Sequence, residues 1–141
     1  MSNFLLISSD IHSDPISLKK LANLASDKDC LSFLFCGDIN LENWEINEIL
    51  RTRNFSFIPV LGNCDTPWTY RDLNMQTPPY FRKTEFLGLK IFFTHGHYLS
   101  IPCDAGFENN SFDIVINGHS HVPALERQEN FVFLNPGSPS L

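Results

Sequence analysis

Five histidines stand in three groups: His12, then His95 and His97, then His119 and His121. Each group follows a short apolar run, and each histidine has Ser or Gly as a direct neighbour. Histidines retained only for packing would not all fall on the exits of expected strands, where open α/β sheets place their sites. Carboxylates and amides follow the same rule in Asp10-Ile11-His12, Gly37-Asp38, Gly62-Asn63-Cys64-Asp65, His95-Gly96-His97 and Gly118-His119-Ser120-His121. In an extended segment residues i and i+2 share a face, so Asp10 and His12 can reach one ion. The glycines let the backbone turn sharply and approach a ligand closely. Imidazole nitrogen combined with carboxylate and amide oxygen suits Mn, Fe, Zn or Ni, and disfavours Cu(I) or an iron–sulfur cluster. Taken singly the elements are ordinary: Asp-x-His is a weak signal, and Gly-Asp or Gly-Asn-Cys-Asp can be turns with Asx chemistry. Five of them in order, each on a strand exit, point to a metal centre.

The elements that must position these residues alternate. Phe4–Ile7, Leu31–Cys36 and Phe57–Leu61 are continuous apolar runs and predict buried strands. Asp14-Pro15 is a helix start, followed by Leu18, Leu21, Ala22 and Ala25 at helical spacing. Leu41–Leu50 predicts a second helix, with Glu42 and Glu45 near its start and Arg51 and Arg53 at its end, as the helix dipole favours. Thr66–Pro79, with three prolines, reads as a loop. Phe81–Phe86 with Leu89–Thr94, and Leu125–Glu126 with Phe131–Leu134, read as hairpins, with a short strand at Ile114–Ile116 between them. Strand–helix alternation in the first half argues for a parallel sheet, and the second half is mostly β.

Composition narrows the function classes. The 141 residues suit one domain, and 43% hydrophobic content with thirteen Phe excludes a disordered or coiled-coil chain. A net charge of −6 argues against gripping long nucleic acid or an anionic membrane surface. No targeting segment or membrane span is expected. Cys30, Cys36, Cys64 and Cys103 have no Cys-x-x-Cys spacing and read as free thiols of a cytoplasmic protein.

The motif series Asp10-x-His12, Gly37-Asp38, Gly62-Asn63-x-Asp65, His95-Gly96-His97 and Gly118-His119-x-His121 resembles the calcineurin-like metallophosphoesterase superfamily. Gly62-Asn63-Cys64-Asp65 and Asn135-Pro136-Gly137-Ser138 look like its small prokaryotic YfcE-like phosphodiesterase branch. The resemblance runs from residue 4 to the C terminus. It implies a four-layer α/β/β/α sandwich in shortened form, a single domain over residues 1–141. It also implies two divalent metal ions, Mn first, with Fe, Ni or Zn as alternatives. By position Asp10, His12 and His121 would hold one ion and Asn63, His95 and His119 the other, with Asp38 bridging. His97 matches a site residue beside the ligands, and Asp38, Asn63, His97 and Cys64 would serve catalysis. The implied activity is metal-dependent hydrolysis of a small phosphate ester, of phosphodiesterase type, by in-line attack of a hydroxide bridging the ions. The alternative on this fold is a non-catalytic, protein-binding scaffold like a retromer subunit. That subunit looks degraded at its metal motifs, whereas all seven ligand positions here are intact.

Three departures from the family pattern stand out. Cys64 occupies the position where many members carry His. Only Tyr98–Asp113 is available for the helix usual between the last two motifs, and Gly106 and Asn109-Asn110 interrupt it. The sequence stops at Leu141 where relatives continue as strand, so an exposed C-terminal sheet edge, and a homo-oligomer through it, are expected. Trp44 reads as a core residue of the second helix. Trp68, Tyr70 and Tyr80 read as a hydrophobic lid or interface, or else as platforms stacking on a substrate's base or aryl group.

Overall fold

Alternating side chains on the first three strands explain both core layers. In the computed structural model, residues 4–97 and 112–140 are described. Strands β1 (Leu5–Ser8), β2 (Ser32–Phe35) and β3 (Ser56–Pro59) form a parallel sheet in the order β1-β2-β3. Helices α1 (Pro15–Asp27) and α2 (Asn43–Leu50) make the crossovers. Successive strand residues point to opposite faces. Phe33 and Phe35 of β2 accordingly pack with Leu18, Ala22, Ala25 and Ile46 under the helices. Leu34 and the adjoining Cys36 pack with Ile91, Phe93 and Ile116 of a second sheet. Both faces are covered, which is why the strand reads as an unbroken apolar run.

The helix ends follow local chemistry. The Asp14 carboxylate accepts from Ile16 N at 3.1 Å and from Ser17 Oγ at 2.7 Å, and Pro15 opens α1. α2 begins two residues later than expected because Glu42 is its N-cap, with Glu42 N donating to the Glu45 carboxylate at 3.3 Å. Arg53 Nε donates to Ile49 O at 2.9 Å and satisfies a carbonyl of the last turn.

Strands β4 (Phe81–Phe86), β5 (Leu89–Thr94), β6 (Ile114–Asn117), β7 (Ala124–Arg127) and β8 (Val132–Asn135) form the second sheet, in the order β4-β5-β6-β8-β7. The two expected hairpins are present as antiparallel pairs, while β5–β6 and β6–β8 run parallel. A helical layer and two sheets are thus in place. The expected fourth layer falls on 98–111, outside the described residues, as do Cys103, Gly106 and Asn109-Asn110. Among the described residues the C-terminal strand β8 is paired on both sides, and β7 is the last strand on that side of the sheet.

Two aromatic expectations are corrected. Trp44 is 59% exposed, because it lies about 200° around the helix from Ile46, whose i, i+4 partner Leu50 completes the buried face. Tyr70 is 2% exposed and packs on Phe57, with ring centroids 5.7 Å apart, since the turn after β3 folds back over that strand. Cys30 and Cys36 are buried packing residues and Cys64 is an exposed thiol. Among the described residues no helix is long and apolar enough to cross a membrane.

Candidate metal centre

The sequence-predicted ligands come from five strand exits, and the structure brings all seven into two adjoining groups. In the first, His12 Nε2 lies 2.9 Å from His121 Nε2 and 3.3 Å from Asp10 Oδ1, and His121 Nε2 lies 3.2 Å from Asp10 Oδ1. In the second, His95 Nε2 lies 2.9 Å from Asn63 Oδ1, 3.1 Å from His119 Nδ1 and 3.1 Å from Asp38 Oδ2. Asp38 Oδ2 is also 3.6 Å from His12 Nε2, which makes Asp38 the carboxylate common to both groups.

These separations test the fit to metal ions. Ligands about 2.1 Å from a shared ion lie about 3.0 Å apart at an octahedron's edge and about 3.4 Å at a tetrahedron's. The 2.9–3.3 Å spacings within each group match those edges. Two imidazole nitrogens 2.9 Å apart need either a shared proton or a cation between them. Nitrogen and oxygen donors of this kind accept Mn, Fe, Ni or Zn.

Surrounding groups fix three of the candidate ligands, Asp10, Asp38 and His95, each with one atom facing inward. Asp10 Oδ2 accepts from Ser9 Oγ at 2.6 Å and His119 N at 2.9 Å, which leaves Oδ1 to the histidines. Asp38 Oδ1 accepts from Cys64 N at 2.8 Å, which leaves Oδ2 to the centre. His95 is fully buried, and its Nδ1 donates to Cys36 O at 2.8 Å, so the Nε2 lone pair points inward. Burial pushes the Asp38 carboxyl up, but the His95 hydrogen bond and charge, the Cys64 N–H and the charge of His12 outweigh it and lower the pKa to about 2. Burial pulls the His95 imidazole down, yet the hydrogen bond and charge of Asp38 leave it above its ordinary 6.5. His97 is depressed by burial and by neighbouring His95, whose ring centroid is 5.4 Å away.

The site's loops hold unusual backbone. Asp10, His12, Asp38, His119 and His121 all have φ between 48° and 69°, a region costing about 1 kcal/mol or more for a non-glycine residue. Five ligands share the strain, so the surrounding hydrogen bonds must over-determine their position. Loop 9–13 continues the strand pairing through Asp10 N to Gly37 O at 2.9 Å and His12 N to Asp38 O at 3.1 Å. Ser138 Oγ donates to Asp10 O at 2.6 Å, and Asn135 Nδ2 to Gly118 O at 3.0 Å, which puts the Asn-Pro-Gly-Ser motif to work as a brace. Gly118 leaves no room for a side chain without a shift: a Cβ there would collide with the Ser9 hydroxyl and stand 2.7 Å from Asp10 Oδ2.

Asp65 closes the Gly62-Asn63-Cys64-Asp65 motif, whose spacing alone names no role for it. Its carboxylate accepts from Asp38 N at 2.8 Å, Gly62 N at 2.8 Å and Ile39 N at 3.0 Å, tying the loops after β2 and β3 together. Burial pushes its carboxyl up despite these N–H donors. An Asp two residues beyond a ligand-type Asn was the only available signal, and spacing alone cannot tell a ligand from a clamp. Cys64 is placed at the centre's rim, its Sγ within 4.8 Å of ligand atoms of His12 and Asp38.

Residues 4–141 match the calcineurin-like phosphoesterase superfamily domain. The chain is 28% identical to Phosphodiesterase MJ0936 of Methanocaldococcus jannaschii, over 93% of this chain and 81% of that protein. It is 24% identical to Phosphodiesterase YfcE of Escherichia coli K12, over 97% of this chain and 79% of that one. The solved structure of the Escherichia coli YfcE phosphoesterase aligns with a TM-score of 0.80 at 22% identity, covering 97% of this chain and 80% of its own, which shows the shared fold. Wild-type Vps29 of Entamoeba histolytica, solved with zinc, aligns with a TM-score of 0.65 at 25% identity, covering 95% of this chain and 73% of its own.

Proposed function

The chain belongs to the calcineurin-like phosphoesterase superfamily, and from that premise we propose that it is a two-metal phosphodiesterase acting on a small phosphate ester. One observation carries the reading: seven inward-facing donor atoms form two groups that share Asp38. Asp10, His12 and His121 would hold one ion, Asn63, His95 and His119 the other, and Asp38 both. Mn is our first choice of metal, with Fe, Ni or Zn accepted by the same donors. When bound, such a pair acidifies water to a hydroxide nucleophile at neutral pH and offsets charge on the phosphoryl oxygens.

The chain's own residues orient and exclude. Ser9, His119 N–H and Cys64 N–H hold the two carboxylates so that each presents one oxygen. The Cys36 carbonyl fixes the tautomer of His95. His97, against the rings of Tyr80 and His95, walls the second group. In the reaction the incoming oxygen forms a new P–O bond as the ester P–O bond breaks, and the departing oxygen takes a proton. Cys64 stands where a proton donor is wanted, but a thiol is a poor donor. Esters whose leaving group departs unaided, such as aryl phosphates, are therefore preferred. A protein-binding scaffold, the alternative reading, needs no such convergence of donors.

The test is reconstitution. Elemental analysis of Mn-loaded protein should find about two ions per chain, and hydrolysis of bis(4-nitrophenyl) phosphate should require them. A single ion at saturation, or full loading with no hydrolysis of any diester, would overturn the reading.

A further inference from the structure

Trp68, Tyr70 and Tyr80 follow the third motif, and the structure separates their roles. Tyr70 is buried against Phe57, and Tyr80 packs edge-on to His97 with centroids 5.6 Å apart. Tyr80 keeps 46% of its surface exposed but does not line the cavity of about 300 Å³ at whose wall Trp68, 62% exposed, stands. That cavity lies between the segment after β2 and the segment after β3, and its walls include Asn40, Glu42, Cys64, Thr66 and Arg71. At Cys64 it meets the metal centre, since Sγ lies within 4.8 Å of ligand atoms of His12 and Asp38. The backbone beneath the indole is pinned. Thr66 N donates to Thr69 Oγ1 at 2.9 Å, Thr69 N to Thr66 O at 3.1 Å and Arg71 N to Trp68 O at 3.1 Å. A rigidly based, exposed indole is a ready stacking platform, because little order must be imposed on it when a ring arrives.

The walls also set the kind of ligand. One acid, Glu42, and one base, Arg71, leave the cavity without net charge. A polyphosphate needs several cations around it, whereas an uncharged ring needs a π face and a few amides or hydroxyls at its edge. The volume is at the lower end for small-molecule sites, enough for one base or aryl group. We propose that this cavity is the subsite for a planar aromatic group of the ester, a nucleobase or an aryl ring, stacked on Trp68. The proposal rests on the phosphoesterase reading for the position of the phosphate, but its central test does not require turnover.

Trp44→Phe removes the other indole, so that fluorescence reports Trp68 alone. Adenosine monophosphate and phenyl phosphate should quench it saturably, and methyl phosphate should not. A response to phenyl phosphate alone assigns the subsite to aryl esters, and tighter binding of adenosine monophosphate assigns it to nucleobases. Stacking losses predict that Trp68→Ala raises KM for bis(4-nitrophenyl) phosphate by about 5- to 100-fold with a smaller change in kcat. Trp68→Phe should recover most of that loss, and Trp44→Ala should leave KM unchanged. If no diester is hydrolysed, the phosphodiesterase reading fails while the fluorescence titration still decides the subsite. Indole emission that ignores both aromatic phosphates at millimolar concentration, or responds equally to methyl phosphate, overturns the proposal.

Discussion

Asp65 is the residue through which the architecture of the centre is most directly tested. One oxygen, Oδ2, accepts from Asp38 N and Gly62 N, each at 2.8 Å, and Oδ1 accepts from Ile39 N at 3.0 Å. An amide retains one acceptor oxygen. In Asp65→Asn that oxygen can stay with the paired donors, leaving Ile39 N unsatisfied at a cost of about 1–3 kcal/mol. Asp65→Ala strands all three donors, and the same cost per donor gives about 3–6 kcal/mol once some water has entered. Asp65→Ala also releases Asp38 and Gly62 relative to each other, whereas Asp65→Asn frees the loop only at Ile39, and loss of such outer support costs about 10- to 100-fold in metal affinity. Urea denaturation of metal-free protein reads the first effect, and Mn titration of folded protein reads the second. The ordering wild type, Asp65→Asn, Asp65→Ala should appear in both. An Asp65→Ala protein within 1 kcal/mol of wild type that binds Mn equally well would refute the clamp.

Other outcomes follow from the same geometry. Asp38→Ala removes the carboxylate that stands nearest to both groups among the described residues, and diester hydrolysis should fall at least about a thousandfold, some 4 kcal/mol; retention of a tenth of the activity refutes the shared role. In metal-free protein the raised His95 contributes stability that is complete below pH 6.5 and lost as pH rises through its folded value. Its partner Asp38, lowered to about 2, contributes above 3.8 and loses that stability only as pH falls toward 2. The apo Tm should therefore decline above pH 6.5, whereas stabilisation by added Mn should grow with pH because imidazoles must shed protons to bind it. An apo Tm that rises through neutrality contradicts this. Gly118→Ala should cost about 1–3 kcal/mol and weaken metal binding, measured by thermal melts with and without Mn, because its Cβ must displace Ser9 and Asp10. Cys64→His should raise turnover of alkyl relative to aryl diesters, up to about a hundredfold if the imidazole protonates the leaving oxygen, and an unchanged ratio in folded, loaded protein counts against it.

Residue types and local period settled a good part of this protein. Continuous apolar runs marked β1, β2 and β3 because both faces of that sheet are covered, one by helices and one by the second sheet. Asp14-Pro15 marked the start of α1 because capping is a contact within one turn. The convergence of the candidate ligands was legible for a similar reason: each motif follows its own strand, and strand exits collect on one side of such sheets. What local sequence could not carry was anything that depends on partners distant in the chain. Trp44 lies on the outer face of α2 because the sheet meets Ile46 and Leu50, a choice its aromatic character does not reveal. Tyr70 and Trp68 stand two residues apart, yet the fold-back onto Phe57 buries one ring and leaves the other over a cavity. The position of Asp65 in its motif names no role, and only the approach of the loop after β2, with the N–H groups of Asp38 and Ile39, makes it a clamp. The left-handed backbone at five non-glycine ligands likewise has no sequence signature. Tertiary hydrogen bonds, from Asp10 N to the Gly37 carbonyl and from the Asn135 and Ser138 side chains to the Gly118 and Asp10 carbonyls, hold these loops against the local steric preference.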